Sequence, residues 1–164
     1  MNKTEYKIID NAIDDEAFQQ MKTTMLGDSF GWIYTDYVSD KAEKLDNFYF
    51  IHLFYKDYQP NSHFFTLLWP LLNVLKAKSL VRIKGNLYIR TKEREIHPFH
   101  TDYKEEHKGA IFYLNTNNGL TILEDGTEIK SIGNRLLLFD SSKPHKSASC
   151  TDEKYRTNIN INYF

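Results

Sequence analysis

The chain has 164 residues and a formal net charge of −1. That length suits one domain able to bury a core, and the balance excludes the basic excess of a nucleic-acid-coating protein. A single cysteine, Cys150, excludes an internal disulfide and reads as a small apolar filler. No signal-peptide run opens the chain at Met1 to Tyr6, and the greasiest stretch, Phe64 to Leu75, is broken by Pro70 and Asn73. It falls short of the ~20 residues of a membrane-spanning helix, so a soluble, cytoplasmic protein without membrane association is expected.

In chain order, Tyr6 to Ile9 reads as a short strand. Asp14, Asp15 and Glu16 place carboxylates at the positive end of a helix running to about Leu26. Gly31 to Val38 and Phe48 to Tyr55 are rich in β-branched and aromatic residues and read as strands. Ser62 is a candidate N-cap for a helix from His63 to about Ala77, kinked or split at Pro70. From Leu80 the pattern becomes short strands separated by turns. Leu80 to Thr91, Gly109 to Asn115, Leu120 to Leu123, Thr127 to Ile132, Arg135 to Phe139, His145 to Cys150 and Arg156 to Phe164 are the segments. Asn115 to Gly119 reads as a turn, and Asp125-Gly126 is a hairpin signal.

With the segment around His100, these make about eight strands, the count of a jelly roll. The expected fold is mainly β, a double-stranded β-helix of cupin-like type with one or two supporting N-terminal helices. Residues 1–164 form a single domain, 1–79 supplying supporting strands and helices and 80–164 the jelly-roll core.

His100-Thr101-Asp102 carries the chemistry, together with His145 and Arg156. Side chains two apart on a strand share a face, so His100 and Asp102 can look into one cavity, with His145 brought opposite after the turn at Pro144. Two imidazoles and a carboxylate suit Fe(II) with open positions, although Mn, Co or Ni also suit such a set. Of the other histidines, His97 falls three residues before His100 and on a strand points the other way. It is kept as a substrate contact at the cavity rim. His107 lies in a charged loop and reads as solvated; His52 and His63 read as surface or satisfied core residues.

The closing segment alternates strictly. Ile159, Ile161 and Tyr163 form one face; Arg156, Asn158, Asn160 and Asn162 form the other. Three Asn are unfavourable in a strand, so the polar face lines something wet. An arginine there needs an anion, and its planar fork suits a bidentate carboxylate, that of a dicarboxylic cosubstrate or an internal acid.

These motifs resemble the 2-oxoglutarate- and Fe(II)-dependent dioxygenases, specifically the prolyl-4-hydroxylase-like branch, over roughly Leu80 to Phe164. The resemblance implies metal ligands His100, Asp102 and His145, with Arg156 completing the catalytic set at the salt-bridging position for 2-oxoglutarate. It implies that Tyr113, in Ala110 to Asn115, hydrogen-bonds the distal carboxylate and that Ile111 packs on the cosubstrate. Tyr88 resembles a further cosubstrate-side tyrosine, and Asn160 an inward residue beside the metal. The implied reaction is hydroxylation of a prolyl, other peptide or small-molecule substrate, consuming dioxygen and releasing succinate and CO2, with ascorbate a possible support. Substrate selection is expected from Lys92 to Glu95 and from Tyr34 to Lys44. Two rivals stay open. A cupin-type metal protein without 2-oxoglutarate would bind metal through Glu106 and pair Arg156 internally; a non-catalytic jelly-roll module would hold a ligand and no metal.

Overall fold

The computed structural model describes residues 5–36 and 48–164. Among them, in chain order, lie β1 (Tyr6–Asp10), α1 (Asp15–Met25), β2 (Ile33–Thr35), β3 (Tyr49–Lys56) and β4 (Gln59–Pro60). A 3-10 turn (His63–Leu68) leads into α2 (Trp69–Leu75). The remainder is β5 (Leu80–Ile89), β6 (Lys108–Tyr113), β7 (Asn117–Leu123), β8 (Glu128–Ser131), β9 (Arg135–Asp140), β10 (His145–Ala148) and β11 (Tyr155–Tyr163).

The helices start where the sequence says they should. Asp14 caps α1 by accepting from the Ala17 N–H at 2.9 Å, with Asp15 and Glu16 in the first turn. Ser62 accepts from the Phe64 N–H, and Pro70 sits in the first turn of α2, where its missing N–H costs nothing. Pro70 therefore divides the expected single helix into a 3-10 turn and a short α-helix.

The larger sheet runs β1-β9-β6-β11-β5-β3-β2, with β4 paired to β3; the smaller runs β10-β7-β8. All pairings are antiparallel. This is the expected double-stranded β-helix with two supporting helices. Strand β11 lies at its centre, and its alternation assigns the two faces. Ile159, Ile161 and Tyr163 pack with Phe18, Met21 and Met25 of α1, with Leu71 of α2, and with Phe112. Phe18 meets Phe112 edge-on at 6.1 Å. Each such side chain contributes roughly 1.5–3 kcal/mol by leaving water. The opposite face, with Arg156, Asn158, Asn160 and Asn162, looks toward the smaller sheet. The Asp125-Gly126 turn joins β7 to β8 as expected, with Gly126 at φ +85°.

Three expectations change. The His100 segment is not a strand: Ile96 and His100 make isolated antiparallel bridges to Ala148 and His145. Three residues between the bridges on one side (97–99) face two on the other (146–147), and Pro98, which lacks an N–H, sits in the longer span. Asn117 to Gly119 belong to β7 instead of a turn, with a register shift before Leu120. Of the strand expected over Gly31 to Val38, Ile33–Thr35 forms; the part from 37 onward, like most of the Tyr34 to Lys44 segment, lies outside the described residues. Among those residues no helix is long and apolar enough to cross a membrane.

Candidate metal centre and cosubstrate pocket

His100 and His145 are directly opposite residues that exchange both backbone hydrogen bonds, each N–H to the other's carbonyl at 2.9 Å. Opposed residues of an antiparallel pair project to the same side, so the imidazoles meet with centroids 4.6 Å apart. Asp102, two residues beyond the bridge, is tied by its N–H to the Ser141 carbonyl at 3.3 Å. One ligand atom from each of His100, Asp102 and His145 lies within 4.8 Å of the others, the group among the described residues that could hold a metal ion. His145 Nδ1 faces the Lys143 carbonyl at 3.1 Å, so this nitrogen is the donor there, and Nε2 is the atom turned toward Asp102, 3.9 Å away.

The Asp102 carboxylate is held on both oxygens. Arg82 donates to Oδ1 at 2.8 Å; Asn160 and Asn162 donate to Oδ2 at 3.1 and 2.8 Å. Burial opposes the charge, but Arg82, His145 and the two amides outweigh it and hold the carboxyl well below its usual range. Burial, reinforced by neighbouring His145, lowers His100 to about 4. At neutral pH the set is therefore one carboxylate and a neutral His100, the protonation states that a divalent cation requires.

Arg156 lies along the same face and is 1% exposed. Its Nε donates to Ser131 at 3.0 Å, and one terminal nitrogen donates to the Thr121 hydroxyl and Leu120 carbonyl at 3.2 and 3.3 Å. Its guanidinium stands 5.4 Å from the Tyr88 ring and 5.8 Å from the Tyr113 ring. Among the described residues no carboxylate is within ion-pair distance of it. A buried guanidinium ringed by neutral partners is a receptor for an anion.

The two histidines and the arginine share a cavity of about 30 Å³, lined by Tyr88, His100, Ile111, His145, Arg156 and Asn160 among others. That is the share of one water, so a dicarboxylate enters only as lining side chains move apart. A wide groove of about 920 Å³ runs past Lys7, Glu106 and Phe164 and contains none of the triad.

Tyr88, Ile111 and Asn160 line the cavity. Tyr113 does not: its buried hydroxyl donates to Thr121 at 2.8 Å, and Thr121 in turn accepts from Arg156. Tyr113 sits behind the guanidinium, one hydrogen bond removed. Glu106, the cupin-type ligand, is exposed and outside the triad. His97 is buried, not at a rim; it faces inward, stacked on Tyr88 at 5.7 Å with Nδ1 2.7 Å from the Ser147 hydroxyl. The extra residue at Pro98 resets the alternation from which an outward direction follows. His107 is likewise not solvated but buried, bonded to Ser141 at 2.7 Å and facing Asn162 at 3.3 Å. His52 is a satisfied, half-buried residue between the Gly31 carbonyl and Ser62, and His63 is exposed.

Two residues escape the sequence reading altogether, Arg82 and Lys84. Their signal is the same alternation as in β11: Arg82, Lys84, Asn86 and Tyr88 occupy one face of β5, register-paired with Asn162, Asn160, Asn158 and Arg156. Charged residues inside a central strand mark a face that lines a site.

The sequence matches no protein-family model and no curated protein. Solved structures establish the class of architecture: the chain has the fold of the 2-oxoglutarate–Fe(II) oxygenases of the prolyl-hydroxylase-like branch. It is similar to a Pseudomonas putida prolyl-4-hydroxylase at TM-score 0.63 and 10% identity, over 98% of this chain and 93% of that one. A Burkholderia pseudomallei oxidoreductase of the 2OG-Fe(II) oxygenase family aligns at TM-score 0.68 and 11% identity, over 96% and 84%. The viral collagen prolyl hydroxylase of Paramecium Bursaria Chlorella virus-1, solved as its 2OG complex, aligns at 0.62 and 13%, over 99% and 98%.

Proposed function

We propose that this protein is a 2-oxoglutarate- and Fe(II)-dependent dioxygenase that hydroxylates a peptide or small-molecule substrate. The observation that carries this reading is a His-Asp-His set whose two histidines line the same cavity as a buried arginine. The arginine has no acid partner among the described residues. A cupin-type centre needs neither feature in that relation. The donor set fits iron, with two imidazole nitrogens and one carboxylate oxygen.

His100, Asp102 and His145 would hold the metal. Arg156 would take the distal carboxylate of 2-oxoglutarate, with Thr121 and Tyr113 fixing the guanidinium from behind and Ile111 packing on the carbon chain. Iron(II) with 2-oxoglutarate and dioxygen supplies the oxidising chemistry, giving succinate, CO2 and one oxygen atom for the substrate, with ascorbate able to keep the metal reduced. Protein groups supply what remains: binding, orientation and exclusion of water. Arg82, Asn160 and Asn162 keep Asp102 ionised in one orientation, and Nδ1–H of His145 on Lys143 keeps its other nitrogen available.

The test is binding first and turnover second. Calorimetry with Mn(II), then with 2-oxoglutarate, should give one site for each in the wild type, and Fe(II) with ascorbate should give succinate. Asp102→Ala should abolish metal binding. Arg156→Met should leave metal binding intact and weaken 2-oxoglutarate about 10- to 100-fold, the worth of one charge-assisted hydrogen-bonded pair. Full metal affinity in Asp102→Ala, or an indifferent Arg156→Met, overturns the assignment.

A further inference from the structure

We propose that the primary substrate carries a carboxylate that docks on Lys84 beside the metal ligands. The proposal rests on the dioxygenase reading above and narrows its substrate class. Lys84 is on β5 directly across from Asn160 and, on its other side, from Leu53 of β3. Alternation puts it on the inward face with Arg82 and Tyr88, within electrostatic reach of Asp102 and His100.

Its ammonium has one hydrogen-bond partner among the described residues, the Tyr49 hydroxyl at 3.2 Å, and lies 5.4 Å over the same ring. No carboxylate there is within ion-pair distance. Asp102, the acid whose charge acts on it, is already engaged by Arg82, Asn160 and Asn162. Burial and the repulsion of Arg82 push the amine down to about 8, so it still carries its charge at neutral pH.

Loading the site does not relieve that charge. A divalent metal, Asp102, doubly ionised 2-oxoglutarate and Arg156 form a neutral set; Arg82 and Lys84 remain, both positive. A neutral ring such as a prolyl side chain leaves the amine without a counter-charge in a partly desolvated place. A carboxylate supplies one.

An independent observation falls at the neighbouring position. The side-chain amide oxygen (Oδ1) of Asn160 is buried with no hydrogen-bond partner. Its amide cannot be turned round, because its nitrogen faces the acceptor-only Asp102 carboxylate. That oxygen needs a donor, which 2-oxoglutarate does not offer. A substrate with an N–H or O–H next to its carboxylate satisfies Lys84 and Asn160 together.

The experiment uses protein loaded with Mn(II) and 2-oxoglutarate, which binds without turnover. Calorimetry follows titration with N-acetylalanine, N-acetylleucine and N-acetylglutamate and with their primary amides. The carboxylates should bind at least about tenfold more tightly than the amides, one charge-assisted contact. Lys84→Met should bring them down to the amide level, with Lys84→Arg retaining the preference; a Lys84→Gln variant guards against a packing defect in the methionine form. Equal binding of acid and amide, absence of binding by all three carboxylates, or a Lys84→Met variant that loses 2-oxoglutarate affinity instead, each overturns the proposal. Failure of the dioxygenase reading is seen separately, as a wild type that takes up neither Mn(II) nor 2-oxoglutarate before any probe is added.

Discussion

At the scale of single residues the site is a set of charges made dependent on one another by burial. His97 and His100 both titrate near 4, against 6.5 for an unburied imidazole: burial is the main cause, with Arg156 acting on His97 and His145 on His100. As pH falls the unfolded chain therefore takes up protons before the folded one. Stability is full above about pH 6.5 and declines toward pH 4, by at most about 3 kcal/mol for each of these largely buried imidazoles at 1.36 kcal/mol per unit. Asp102 acts in the same direction lower down, since a carboxylate held below its usual range contributes stability that is lost on acidification. His97→Gln should remove about half of the loss between pH 6.5 and 4 in urea titrations of metal-free protein. An unchanged pH slope would mean that His97 titrates normally. The two imidazoles were legible as residues, but their burial was not, because it is set by a second sheet whose strands lie far away in the chain.

Elements turn side-chain order into a site. On β11 the alternation of Arg and Asn with Ile and Tyr is complete in the sequence, and it foretold both faces of the central strand. The segment from Ile96 to Asp102 was less transparent. Pro98 adds one residue to the bridged ladder, and strict alternation fails across it, so His97 faces inward with His100. Gly119 on β7 shows how tightly an element can be fitted to the site. A Cβ there would meet Arg156 Cδ at 2.5 Å, Asn117 Oδ1 at 2.8 Å and the Ala148 carbonyl at 3.0 Å. Two of these are poorly movable, so Gly119→Ala must displace the arginine. The expected result is a protein destabilised by about 1–3 kcal/mol, as for other overpacked positions, with weakened 2-oxoglutarate binding and nearly unchanged Mn(II) binding. Wild-type 2-oxoglutarate affinity in Gly119→Ala would show that Arg156 does not depend on this contact.

The whole molecule determines whether the metal makes the fold or the fold makes the metal site. Apolar packing under α1 and α2, the backbone bonds between His100 and His145, and the hold on Asp102 are all made between protein groups. Chelation should therefore leave the far-UV circular dichroism unchanged. It should lower Tm only by mass action, about 2.7 kcal/mol when metal was at 100 times its Kd, or roughly 5–10 °C. Unfolding on chelation, as in a zinc finger, would contradict a preformed site.

The sequence by itself determined the double-stranded β-helix, the two helices that cover it, the His100, Asp102, His145 and Arg156 constellation, and the polar face of β11. These follow from periodicity and from residue types whose chemistry is local. Tertiary structure alone decided that Arg82 pairs with Asp102, that Lys84 stands beside Asn160, that Tyr113 lies behind Arg156, and that His97 and His107 are buried. Each of these depends on which strands become neighbours and on how two sheets close over them. Such long-range contacts place a charge in or out of water, and no stretch of chain contains that information on its own.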